Sequence, residues 1–212
     1  MTAIDASYLQ RIDTLLSGGQ RLLLGIVGAP GAGKSTVAQA LHTHFADISQ
    51  IVPMDGFHLA QAELERLGRA QRKGAPDTFD SAGYAALLQR LRQQPADEVV
   101  YAPDFRRVWE EPIAGAIAVH PHTPLLICEG NYLLLDEGHW ARIPALLDEV
   151  WYVDVPDALR RERLVNRHVQ FGRTPEAAMA WVQDTDEPNA RRIAQGRARA
   201  DVVFVWGLIN PN

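Results

Sequence analysis

Short apolar runs alternating with amphipathic stretches set out the architecture of this chain. Residues 1–19 place Tyr8, Leu9, Ile12, Leu15 and Leu16 at helical spacing, and Ser17-Gly18-Gly19 ends that helix. The continuous apolar run from Leu22 to Val27 reads as a buried strand, followed by a glycine-rich turn and an apolar helix from Thr36 through Leu41 to Phe45. Four further β-rich runs follow: Gln50–Met54 ending at Asp55, Leu125–Cys128 ending at Glu129, Glu149–Val153 ending at Asp154, and Asp201–Trp206. Runs of this kind separated by helical stretches predict an α/β fold, a five-stranded parallel sheet flanked by helices, with ligands bound outside the carboxyl ends of the strands. Polar residues at those ends are therefore the candidates for chemistry. Residues 56–123 are too long for one crossover; with helical segments near 59–67 and 80–94, they read as an insertion that builds the substrate side. Phe45, Trp151, Phe204 and Trp206 are assigned to the core.

The 212 residues, 47% hydrophobic and 22% charged, fit a single domain over 1–212 and exclude disordered, collagen-like and coiled-coil classes. No apolar run approaches the roughly 18 residues needed to span a bilayer, and no secretory leader is visible, so no membrane contact and a cytoplasmic location are expected. The single cysteine, Cys128, lies in an apolar run, which rules out a disulfide framework and reads as a small buried residue. A net charge of -5 argues against broad binding to nucleic acid or acidic membranes. The expected partner is a small molecule, with a homodimer left open.

Gly28-Ala29-Pro30-Gly31-Ala32-Gly33-Lys34-Ser35 matches the Walker A pattern in full, directly after a strand and directly before a helix. Glycines let successive backbone N–H groups close around phosphate oxygens, and the following helix presents its partly positive N-terminus to the same anion. Gly28, Ala29, Gly31, Ala32 and Gly33 are thus expected to wrap the phosphates of ATP. Lys34 reaches the β- and γ-phosphates, and Ser35 ligates Mg²⁺. Thr36 either adds a phosphate contact or simply opens the helix.

Asp55 stands where a carboxylate can accept the proton of an attacking hydroxyl. Glu129 takes the place of a second carboxylate that holds Mg²⁺ directly or through water, and Gly130 beside it is expected to leave room for the nucleotide. Arg160, Arg163 and Arg167 share a helical face that can neutralise charge on the transferring group, and Gly172 serves as a hinge or as a helix C-cap. His58, three residues beyond Asp55, is placed against the substrate. In Tyr101-Ala-Pro-Asp104-Phe-Arg106-Arg107, Arg106 or Arg107 can hold an anionic substituent.

The ordered set of Gly28–Ser35, Asp55-Gly56-Phe57, Ala75-Pro76-Asp77-Thr78-Phe79-Asp80, Glu129-Gly130 and the arginines ending at Gly172-Arg173 resembles the phosphoribulokinase, uridine kinase and pantothenate kinase family of P-loop kinases. Met54-Asp55-Gly56-Phe57-His58 looks most like a bacterial subgroup described as sugar kinases, some associated with fructose transport. The resemblance implies a P-loop fold with a mobile lid over 157–175 and transfer of the ATP γ-phosphoryl group to a small metabolite. It implies that Asp55 is the base, that Glu129 belongs to the Mg²⁺ site, that Asp77 is on the substrate side, and that Arg163, Arg167 and Arg173 are lid residues. Uridine kinases carry an acidic residue that helps hold the ribose where this chain has Gly74, and an Asp where this chain has His168. A sugar or polyol acceptor is therefore favoured over a nucleoside or a pantothenate-like alcohol. The alternative function is a nucleotide-dependent switch without a small-molecule acceptor.

Overall fold

The computed structural model describes residues 4–205. The chain runs α1 (Ala6–Leu16), β1 (Leu22–Val27), α2 (Lys34–His44), β2 (Ser49–Pro53), α3 (Gln61–Arg66), α4 (Ser81–Arg92), β3 (Val100–Arg106), β4 (Glu111–Val119), β5 (Leu125–Gly130), β6 (Glu149–Asp154), α5 (Asp157–Gln170), α6 (Pro175–Trp181), α7 (Glu187–Ala194) and β7 (Val202–Val205). Five strands form one parallel sheet in the order β2-β5-β1-β6-β7. β1 and β5 are buried at every residue, as their uninterrupted apolar runs require of strands covered on both faces.

One face of the sheet packs Leu23, Met54, Tyr84, Leu88, Tyr132 and Trp140; the other packs Ile12, Leu24, Ile26, Val37, Leu41 and Trp151. Trp151 stacks on Phe204, with ring centroids 5.7 Å apart. Trp206, expected at the end of the last strand, lies outside the described residues. Cys128 is free and buried, and burial pushes its thiol up to about 12, which suits an inert packing residue. Among the described residues no helix is long and apolar enough to cross a membrane.

The region 56–123 holds the two expected helices, α3 and α4, the latter capped by Asp80, which accepts from the Gly83 N–H at 2.8 Å. It also holds an antiparallel hairpin, β3–β4, that the hydrophobic pattern did not foretell. The hairpin packs onto the short turn Met54–Phe57: a Cβ on Gly56 would stand 2.3 Å from the Pro103 carbonyl oxygen. That contact fixes the insertion beside the end of β2.

Candidate active site

α2 begins at Lys34 behind Gly33, which has φ +91° and provides no side-chain cap. The first N–H groups of the helix, with the positive end of its dipole, are thus left for an anion. The loop is braced from α5. A Cβ on Gly31 would stand 2.5 Å from the Arg160 carbonyl oxygen, and the buried Arg160 guanidinium donates to the Pro30 carbonyl at 3.3 Å. Arg160 also pairs with Glu187 and, at 3.2 Å, with Asp157. Its charge is therefore spent on tying the phosphate loop to α5 and α7, which corrects the expectation that it faces the phosphates.

Strand register assembles the acidic side. Val27 aligns with Gly130 and Pro53 with Glu129, so the residues that follow β1, β2 and β5 meet at one edge of the sheet. The Ser35 hydroxyl donates to Glu129 at 3.2 and 3.3 Å from its two carboxylate oxygens. Burial, then the neighbouring charge of Asp55, pushes Glu129 up to about 7. Burial lowers Lys34 to about 8, and its ammonium donates to the Ala29 carbonyl at 3.3 Å. The buried Glu129 carboxyl beside the Ser35 hydroxyl is a pair of hard oxygen donors of the kind that fits Mg²⁺. Gly130 lines the cavity and also packs closely on Met54, whose Cβ would be 2.6 Å from an added methyl.

These groups open into a cavity of about 670 Å³ that also takes in His58, Gly74 and Arg107 from the insertion and Arg167 and Arg173 from the helical side. The His58 ring lies between Phe79 and Phe105, with centroids at 3.9 and 4.7 Å, and its Nδ1 is 2.8 Å from the Asp55 carbonyl. Burial holds its pKa below the usual histidine range, which favours a neutral ring. Gly74 sits at φ +100° with open space where a side chain would be. Its carbonyl accepts from the Tyr132 hydroxyl and its N–H donates to Thr78 Oγ1 at 3.0 Å.

Other expected site residues are not brought to this cavity. Asp77 turns outward to Arg72 at 2.7 Å and Arg69 at 3.6 Å. Arg106 pairs with Asp104 at 3.2 Å, leaving Arg107 as the hairpin arginine at the site. Arg163 is half-buried on α5 away from the cavity wall. Ala29 and Ala32 line a neighbouring cavity of about 510 Å³. Gly28 packs on β6, where a Cβ would stand 2.9 Å from the Val153 carbonyl, and Thr36 is exposed on the first turn of α2.

The helical wall extends beyond residue 175. Gly172, at φ +96°, follows Phe171, the C-cap of α5, with the Arg173 N–H donating back to the His168 carbonyl at 3.1 Å. Arg173 lies 4.0 Å from the centroid of the Trp181 ring, and His168 Nε2 is 2.8 Å from Asp186 Oδ2. Trp181, Asp186 and Lys73 line the cavity without having been singled out by sequence. Arg167→Ala and Arg173→Ala are each expected to lower kcat by about tenfold or more while changing ADP affinity less, because charge on the transferring group is greatest in the transition state. Paired measurements of kcat and ADP affinity check this; equal losses in both would mark them as ordinary nucleotide ligands.

No family model matches the chain. It is 34% identical over 215 residues to "Putative uridine kinase C227.14" of Schizosaccharomyces pombe, covering 96% of this chain and 91% of that one. The crystal structure of a "putative fructose transport system kinase" from Silicibacter sp. TM1040 superposes with a TM-score of 0.80 at 40% identity, over 89% of this chain and 90% of that one. YFH7 of Saccharomyces cerevisiae shares the fold, with a TM-score of 0.81 at 21% identity over 95% and 98% of the two chains. With a phosphate loop, a buried carboxylate beside its serine and an arginine-bearing helical wall around one cavity, the chain belongs to the uridine kinase-like family of P-loop kinases and is an ATP-dependent kinase.

Proposed function

We propose that this kinase transfers the γ-phosphoryl group of ATP to a hydroxyl of a small non-nucleoside metabolite, a sugar or polyol, in the cytoplasm. The observation that carries the reading is the bare wall at Gly74. The position lines the cavity, is pinned by Tyr132 and Thr78, and presents no carboxylate, while Asp77 nearby is engaged by Arg69 and Arg72. A ribose at this wall would leave a hydroxyl without a partner, at a cost of roughly 1–3 kcal/mol.

The roles follow from placement. Asp55 lies beside Glu129 at the edge of the cavity and accepts the acceptor's proton as the hydroxyl attacks. His58, kept neutral by burial and bonded through Nδ1 to the Asp55 carbonyl, offers its free ring nitrogen to a second hydroxyl. Lys34 and the amides at the start of α2 bind the phosphates, and Arg167 and Arg173 face the charge that develops on the transferring group. Ser35 and Glu129 would hold Mg²⁺, which when bound would supply charge neutralisation on the phosphates.

The test is kcat/KM for fructose and other sugars and polyols, for pantothenate, and for uridine and cytidine. A sugar or polyol is expected to lead by at least about tenfold, the equivalent of one unmet hydroxyl. A clear preference for uridine or cytidine would overturn the reading and leave the kinase assignment in place.

A further inference from the structure

Five cations line the central cavity: Lys34, Lys73, Arg107, Arg167 and Arg173. Among the described residues none of them forms an ion pair. The arginines that do pair with carboxylates, Arg69, Arg72, Arg106 and Arg160 among them, all lie off the cavity wall. Lys34, Arg167 and Arg173 stand on the phosphate loop and the helical wall, where the triphosphate accounts for them. Lys73 and Arg107 stand on the wall made by the insertion; Arg107 also faces Glu129, but nothing in the transfer of a phosphoryl group to a neutral sugar accounts for Lys73.

Their settings differ, and that of Lys73 is a charge without a carboxylate partner. Lys73 Nζ donates only to neutral oxygens, the Glu110 carbonyl at 2.6 Å and Gln61 Oε1 at 3.4 Å. It lies 5.6 Å from the centroid of Phe105, a ring that also packs against His58. The ammonium is therefore one aromatic ring removed from the histidine that touches Asp55. Arg107 follows the last residue of β3 and borders both the main cavity and a smaller one shared with Asp55 and Glu129. Glu110 lines the same wall and pairs with neither cation. Lys73 thus reaches the cavity wall with no carboxylate partner, and a bound anion would give it a charge-assisted hydrogen bond in place of neutral ones.

We infer that the phosphoryl acceptor is itself an anion, a sugar or polyol derivative bearing a carboxylate or a phosphate, which Lys73 and Arg107 hold while its hydroxyl faces Asp55. The inference rests on the non-nucleoside reading above and narrows its substrate class. Arg107 also bears on Asp55 and Glu129, so Lys73, which does not border the smaller cavity, is the cleaner probe.

The experiment is calorimetric titration of the enzyme saturated with Mg²⁺ and a non-hydrolysable ATP analogue. The probes are two matched pairs, gluconate against glucose and fructose 6-phosphate against fructose, with uridine and cytidine alongside. At least one anion is expected to bind tenfold or more tightly than its neutral parent, and which pair shows the gap separates a carboxylate from a phosphate. Lys73→Met is expected to remove most of the gap while leaving affinity for the neutral parent within about twofold. Arg107→Gln, on a different element, is expected to narrow it too. Equal or weaker binding of both anions, or a preference that survives both substitutions, overturns the inference. Binding of uridine or cytidine ahead of all four probes would overturn the non-nucleoside reading as well, so the two failures are distinguishable.

Discussion

Asp55→Asn is expected to lower phosphoryl transfer by about a hundredfold or more, the usual scale of a lost general base, while ADP affinity stays within about twofold. The amide fills the same space and keeps the turn Met54–Phe57 packed on the hairpin, but it cannot take a proton from the acceptor. Removal of the Asp55 charge also relieves one of the two causes that hold Glu129 up near 7, so the Ser35–Glu129 pair should bind Mg²⁺ no worse. Turnover measured beside ADP binding checks both halves. Normal turnover would remove Asp55 from the base role, and a collapse of ADP affinity would make it a nucleotide ligand instead.

Lys34→Met is expected to lower kcat/KM for ATP by about a hundredfold or more, as loss of a preorganised charge on the phosphates does elsewhere. It should do so without lowering the melting temperature of the empty enzyme. Burial depresses the Lys34 ammonium from 10.5 to about 8, so in the absence of nucleotide its charge opposes folding. Between pH 8 and 10.5 the unfolded chain binds a proton at this lysine that the folded one does not, and the stability of the empty wild type rises with pH across that window. The methionine variant should lack that part of the slope and should also lose the stabilisation that Mg·ATP gives the wild type. Thermal melts from pH 7 to 10.5, with and without nucleotide, report all three; an intact nucleotide shift in the variant would detach Lys34 from the phosphates.

The features written in contiguous residues were legible from sequence. Gly28–Ser35 carries its own turn, donor and helix start. Glu129 closes the fully buried apolar run Leu125–Cys128, and Asp55 follows the shorter run Ile51–Met54, so each is the polar residue met at the end of an apolar stretch. The β3–β4 hairpin was hidden because Pro103 falls at a register shift and Pro112 near the start of the partner strand, and proline weakens any strand reading. Asp77 and Arg106 were misplaced because their charges are neutralised locally, by Arg69 and Arg72 in one case and by Asp104 in the other. Lys73, Trp181 and Asp186 reach the cavity only through the packing of distant elements. Lys73 leaves no periodic signal in a connector, and Asp186 is distinguished only by its burial and its contact with His168. The π-helical turn Val182–Asp186 that carries it has no sequence signature of its own.

The most direct test of phosphoryl transfer is the balance of ADP, inorganic phosphate and phosphorylated acceptor, with the acceptor's mass measured, when the wild-type enzyme consumes ATP over a panel of sugars, polyols and their acidic derivatives. The expected result is an acceptor carrying one added phosphoryl group in amounts equal to the ADP formed. ADP matched by inorganic phosphate, with every acceptor unchanged, would contradict it and point instead to a nucleotide-hydrolysing switch.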